Sequence, residues 1–302
     1  MVFQNIFRKV NGKKNSCYIR RVMLASVQGE NSMRERLVVS VAGKGGVGKT
    51  TTSALLTKAV IEKTKRSLLV VDADPVMNLP RALGIEIPTS VGDIATRLRK
   101  SIDEGSLGGE VAKQDVLEGD IYEALVEGDK FDFLAMGRTE GEGCYCYVNR
   151  LLTQIIDNLS GNYELTLLDM SAGLEHLSRR TNRNVDVLVI VIDPSRAAFE
   201  AALRIRDLAK EVHIDFKKIV IVGNRFLPEM EEDLRRRLEE ENLPLFGMIP
   251  NDDELSKANY LGQPLTELNS NSQAVKAVEE IAEKLGLLSE AAMLKLLGKN
   301  PQ

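Results

Sequence analysis

The chain has no tryptophan, few aromatic residues of any kind (5%) and only three cysteines in 302 residues. Three is an odd number, and no export signal is read ahead of them, which argues against a disulfide framework and for reduced thiols. No apolar run approaches the roughly 18 to 20 residues of a membrane span, and the first residues lack the continuous apolar core of a secretory signal. Stable membrane insertion is therefore not expected, and a cytoplasmic location is. Net charge is −4, which leaves no broad basic surface of the kind that attracts nucleic acid. Internal repeats are also absent.

Basic residues gather only at the start, where Arg8, Lys9, Lys13, Lys14, Arg20 and Arg21 stand against Glu30. Residues 1–33 read as a weakly patterned leader: a stretch ahead of a true start at Met33, a flexible arm, or a targeting segment. With 43% hydrophobic and 28% charged residues, the remainder can bury the core of one α/β domain of larger than average size. That domain is expected over 34–288, followed by a short tail, 289–302. The tail's amphipathic stretch, Ala291 to Leu297, is of a kind that usually packs on the body.

Gly43-Lys44-Gly45-Gly46-Val47-Gly48-Lys49-Thr50-Thr51 contains the pattern G-x-x-x-x-G-K-[ST]. The apolar run Leu37 to Ala42 precedes it and a helical pattern, Thr50 to Lys63, follows, so a buried strand feeds a glycine turn and a helix start. Glycines let successive N–H groups converge on a phosphate, the helix start adds partial positive charge, and Lys49 adds a full one. Thr50 can offer its hydroxyl to Mg²⁺. The pattern predicts binding of ATP or GTP.

Further buried strands are expected at Ser67 to Val71, Phe131 to Gly137, Leu165 to Asp169, Val185 to Ile192, Ile219 to Val222 and Pro244 to Ile249. Helices are expected at 91–98, 195–212, near 252–261 and at 272–287. Such alternation specifies a doubly wound, mostly parallel sheet of seven to eight strands with helices on both faces. Asp72 and Asp74 follow the second strand, where ligand groups gather in doubly wound sheets; a self-satisfied turn is the alternative. Asp169 ends another strand in the manner of a Walker B acid and would bind Mg²⁺ or its water shell. Glu231 to Arg237 reads as a solvated helix with pairing between successive turns.

The second lysine of the loop, Lys44 in G-K-G-G-V-G-K-T-T, resembles the deviant phosphate loop of the MinD, ParA and nitrogenase iron protein superfamily. The resemblance implies that Lys44 reaches the phosphates of a nucleotide on the other subunit, so that ATP stabilises a homodimer. It also implies that Asp74 positions the attacking water, that Asp72 lies near the Mg²⁺ shell, and that residues 170–180 form a second switch. Asn224-Arg225 and Pro250-Asn251-Asp252 match the superfamily's base pocket and favour ATP over GTP.

Cys144 and Cys146 can face one soft metal ion, but one pair fills only half of a four-coordinate shell. A two-fold dimer would supply four thiolates; two buried cysteines beside an aromatic helix start is the other reading. Gly143-Cys144-Tyr145-Cys146-Tyr147, with Asp169-Met170-Ser171-Ala172-Gly173-Leu174-Glu175-His176 downstream, resembles the CooC-type ATPases that serve nickel insertion into carbon monoxide dehydrogenase. Ser171 departs from that pattern, standing where an acidic residue is expected. Ni²⁺ bound across the dimer, with Zn²⁺ as a substitute, and a carbon monoxide dehydrogenase or acetyl-CoA synthase client are what this resemblance implies. Two alternatives stand beside it. One is a ParA- or MinD-like positioning ATPase acting through DNA or membrane, the other an electron-transfer ATPase holding an iron–sulfur cluster. Glu175 and His176 are metal-ligand or coupling candidates as well as candidates for a salt bridge at a helix start or a solvated face, while His213 reads as structural or exposed and Cys17 belongs to the leader with no partner in sequence.

Overall fold

A computed structural model describes residues 36–104, 123–138, 156, 159–171, 185–211 and 216–299. Seven parallel strands make one sheet: β1 (Leu37–Gly43), β2 (Leu68–Ala73), β3 (Asp132–Ala135), β4 (Leu165–Met170), β5 (Val187–Ile192), β6 (Lys218–Asn224) and β7 (Leu245–Ile249). Their order across the sheet is β3-β2-β4-β1-β5-β6-β7. Every residue of β1, β2, β4 and β5 is buried, which is why these segments are continuous apolar runs with no polar alternation. The edge strand β7 is only half-buried.

The helices are α1 (Lys49–Lys63), α2 (Leu79–Leu83), α3 (Val91–Asp103), α4 (Arg196–Glu211), α5 (Glu231–Glu240), α6 (Asp253–Leu261), α7 (Gln273–Lys284) and α8 (Glu290–Leu296). Helix α1 is buried over most of its surface from Lys49 to Val60, held between the sheet and α7. Even Lys58 is enclosed; it pairs with Glu62 and donates to the Thr266 carbonyl at 3.0 Å. Helix α5 is the solvated helix its charges predict, with Arg235–Glu231 and Arg236–Asp233 pairs one turn apart.

Element boundaries depart from the sequence reading by a few residues. The third strand ends at Ala135, because Gly137 turns the chain at φ 69° while Met136 still donates to the Asp72 carbonyl at 2.8 Å. The tail helix α8 is capped by Ser289, whose hydroxyl accepts from the Ala292 amide, and its Met293 is fully buried. Arg66 ties that region down by donating to the Gly286 carbonyl at 3.1 Å. No helix among the described residues is long and apolar enough to cross a membrane.

Candidate nucleotide site

The site sits at the carboxyl edge of the sheet, where β1 runs into the loop 43–48. Gly43 has φ 146° and a Cβ there would meet the Val191 carbonyl oxygen of β5 at 2.4 Å, so only glycine fits. Gly46 and Gly48 take φ 84° and 99°, left-handed values that turn the chain sharply into α1 without a side-chain cap. The first-turn amides of α1 are thereby left for a ligand. Lys49 is buried, its Nζ 3.4 Å from the Lys44 carbonyl. Burial pushes its pKa down, and the carboxylates of Asp169 and Asp74 pull it back up. Lys44 is exposed on the outer face of the loop, and its ammonium makes no hydrogen bond among the described residues.

On one side of the loop lie the acids. Asp72 and Asp169 are register partners on adjacent strands β2 and β4, so both carboxylates point to the same face of the sheet, toward α1. Asp169 Oδ1 accepts from the Ser53 hydroxyl at 2.9 Å. Its pKa is raised to about 6 by burial, against hydrogen bonds from Thr50 and Ser53 and the charge of Lys49. Asp72 is fully buried, and its two oxygens accept the amides of Asp74 (2.9 Å) and Leu79 (3.0 Å). Burial, then the charge of Asp169, push it to about 7. Asp72 thus gathers the turn that carries Asp74, whose own Oδ1 accepts from Val76 and whose carbonyl accepts from Met77. Met77 is held at φ 53°, an uncommon conformation for a side-chain-bearing residue.

Two neighbouring buried carboxylates with Lys49 as the cation that acts on Asp169 leave an excess of negative charge beside the Thr50 hydroxyl. The residues fit Mg²⁺: Thr50 and Asp169 would hold it directly or through water, with Asp72 behind. Among the described residues no three His, Cys, Asp or Glu side chains are grouped to hold a metal alone. That suits an ion which keeps several waters and completes its shell on nucleotide phosphates.

On the other side the two turns expected to read the base come together, the Arg225 amide donating to the Ile249 carbonyl at 2.9 Å. Their polar side chains are hydrogen-bonded to the protein itself. Asn224 is buried and its Nδ2 donates to the Val47 carbonyl at 2.7 Å; its Oδ1 has no partner among the described residues. Arg225 donates to the Gly46 carbonyl at 2.8 Å. Asp252 caps α6 by accepting from the Leu255 amide, while its other oxygen accepts from Ser272 (2.7 Å) and the Ala274 amide (3.1 Å) at the start of α7. Burial opposes its charge, but these hydrogen bonds hold its carboxyl below the ordinary range. Its carboxylate joins two helices. Pro250, beside it, is half-buried at the end of β7.

One residue near the loop was not singled out in the sequence. Asp193, directly after β5, lies 3.4 Å from the Arg225 guanidinium, and Lys44 also acts on its charge. The signal that could have found it is an acid at the carboxyl end of a buried strand, the same signal that marks Asp72 and Asp169. Cys144, Cys146, Glu175, His176, His213 and the leader with Cys17 lie outside the described residues.

Comparison with known proteins agrees with this geometry. The family model described as CobQ/CobB/MinD/ParA nucleotide binding domain matches residues 38–265. An uncharacterized ATP-binding protein of Methanocaldococcus jannaschii is 47% identical, over 82% of this chain and 98% of the relative. The carbon monoxide dehydrogenase accessory protein CooC of Rhodospirillum rubrum is 30% identical, over 76% of this chain and 90% of its own length. In fold, the chain matches the septum site-determining protein MinD of Pyrococcus horikoshii, solved with Mg-ADP, at a TM-score of 0.61 and 23% identity, over 85% of this chain and 98% of that one. With a family model covering most of its length and a glycine loop, buried lysine and paired strand-end acids in place, this chain belongs to the CobQ/CobB/MinD/ParA family of nucleotide-binding domains.

Proposed function

We propose that the protein is an ATP-driven metallochaperone that carries nickel between two copies of the chain and delivers it to carbon monoxide dehydrogenase or an acetyl-CoA synthase. ATP is bound by the loop amides and Lys49, hydrolysed by water held at Asp74, and bridged to the second subunit by Lys44. The observation that carries the reading is the exposed Lys44, free of hydrogen bonds among the described residues, in a chain that also contains Cys144-Tyr145-Cys146. A charge left on the outer face of the phosphate loop suits a partner's nucleotide, and one Cys pair per chain suits a metal shared by two chains. The likeness to CooC at 30% identity supports the same client chemistry.

In the proposed cycle nickel is cargo and ATP sets the geometry of the site that holds it. Metal that binds only the paired thiolates promotes the dimer by mass action. If ATP changes metal affinity, metal changes ATP affinity by the same factor. A MinD-like positioning role has support in the shared fold. The amphipathic tail that a membrane-directed reading would use is packed away, with Met293 fully buried.

The test is equilibrium dialysis of anaerobically purified protein with Ni²⁺, with and without a non-hydrolysable ATP analogue, alongside sedimentation. One metal per dimer, lost in Cys144→Ala and in Cys146→Ala with ATP binding retained, is the expected result. Lys44→Ala should bind ATP yet remain monomeric with it. One metal per monomer, or metal binding that survives both cysteine substitutions, would sink the shared site.

A further inference from the structure

The end of β6 and the turn after it approach the phosphate loop, and two polar side chains there take two consecutive loop carbonyls. Arg225 donates to Gly46 at 2.8 Å and Asn224 to Val47 at 2.7 Å. All described peptide bonds are trans, so each carbonyl and the following amide point in opposite directions across one rigid plane. Holding the carbonyls of residues 46 and 47 on one side turns the amides of Val47 and Gly48 to the other. There the Val47 amide makes only a long contact, 3.5 Å to the Lys44 carbonyl. The fit is close at Gly48, where Asn224 Nδ2 lies 2.2 Å from the place a Cβ would occupy.

The brace has its own support. Arg225 has φ 61°, a left-handed conformation that is strained for a residue with a side chain and persists where surroundings enforce it. Its amide is pinned to Ile249. Its guanidinium faces Oδ2 of Asp193, whose Oδ1 is occupied by the Ser195 amide and hydroxyl at 3.1 and 2.6 Å. The guanidinium is half exposed, so the Arg225–Asp193 pair matters as an aiming device more than as a source of stability.

We propose that Asn224 and Arg225, aimed by Asp193, are positioning residues that hold consecutive peptide planes of the phosphate loop so that its amides stay converged on a polyphosphate. This rests on the reading that the loop binds ATP. A convergent set of amides that need not reorganise on binding is worth more than a mobile one. The brace is indifferent to the base, which separates it from the base-reading role expected for the same residues.

The experiment is calorimetric titration of the full chain with Mg-ATP, Mg-GTP and inorganic tripolyphosphate, with circular dichroism as the folding control. Arg225→Ala should weaken ATP and tripolyphosphate by the same factor, about three- to tenfold for one hydrogen bond, and leave the ATP-to-GTP ratio unchanged. Asp193→Asn should weaken both by a smaller factor and add nothing in the Arg225→Ala background. Because Asn224 is buried, the two exposed-side variants carry the test, and Asn224→Ala extends it where that variant folds. Loss of ATP affinity with tripolyphosphate unchanged, or an eroded ATP-to-GTP ratio, would overturn the brace in favour of base reading. Unchanged affinities in both variants would overturn it outright. A wild-type chain that binds neither ATP nor tripolyphosphate would instead defeat the functional reading itself.

Discussion

The two flanks of the phosphate loop are built on opposite principles. Toward β2 and β4, Asp72 and Asp169 are buried side by side with pKa values raised to about 7 and about 6. Toward β6 and β7, Asn224, Arg225 and Asp252 are hydrogen-bonded to the protein itself. The first flank carries uncompensated charge, which a cation and phosphates would complete; in the second the side chains are tied to the protein and hold shape. At Asp169 burial outweighs the hydrogen bonds from Thr50 and Ser53 and raises the pKa, whereas at Asp252 the hydrogen bonds outweigh burial and lower it, so the two residues mark the two flanks by opposite shifts.

The most severe way to break this contrast is to remove the loop's own cation. Lys49→Ala leaves the phosphates and Asp169 without the buried charge that faces both. ATP affinity should fall by about 3 kcal/mol, roughly a hundredfold or more, as read by titration with Mg-ATP. Asp74→Asn probes the acidic flank more selectively, since an amide oxygen can still accept from Val76. It should bind ATP but lose hydrolysis by about a hundredfold, and the protein should accumulate as a dimer with ATP in sedimentation. Turnover close to wild type would remove Asp74 as the residue that positions water.

A pH series sharpens the contrast further. The raised pKa values of Asp72 and Asp169 mean that the folded chain holds protons the unfolded chain has released. Their favourable contribution is full below the ordinary value of 3.8 and is lost as pH rises through about 6 and about 7. Nucleotide-free protein should therefore lose that part of its stability between those limits, and Mg-ATP should offset the loss by compensating the charge. Conversely, with Asp169 as the proposed Mg²⁺ ligand the carboxylate would have to be ionised, so Mg-ATP affinity should fall below pH 6 by about tenfold per unit for one proton. Calorimetry in two buffers of different ionisation enthalpy would count the proton released; none released below pH 6 would contradict the assignment.

The smallest effect belongs to the completed flank. Asp252→Ala removes the cap of α6 and the tie to Ser272, at a cost of about 1–2 kcal/mol. A lowered midpoint in urea is the expected readout. A midpoint equal to wild type would show that the tie between α6 and α7 contributes nothing.

Much of the site was legible in the chain before its fold. The loop 43–51 could be read because its chemistry is local: converging backbone amides, the Lys49 ammonium and the Thr50 hydroxyl come from neighbouring residues, and the flanking strand and helix are recognisable by their own patterns. Asp72 and Asp169 were legible as strand-end acids, each by its place after an apolar run. Asn224 and Arg225 were legible as residues at a useful strand end, but not in their partners, which lie 177 and 179 positions away at Val47 and Gly46 respectively. Asp193 was missed because a single acid before a proline reads as an ordinary turn until Arg225 is placed beside it.

The sequence by itself determined the parallel α/β architecture, the phosphate loop and the strand ends that surround it, because continuous apolar runs, glycine turns and helix starts are properties of neighbouring residues. Only the tertiary structure decided that Asp72 and Asp169 are register partners across β2 and β4. A slip of one residue would send one of them to the opposite face. It also decided that Asp252 ties two helices while Arg225 and Asn224 turn inward to the loop. Those outcomes depend on which donors and acceptors meet when distant segments pack, a quantity that no local pattern along the chain contains.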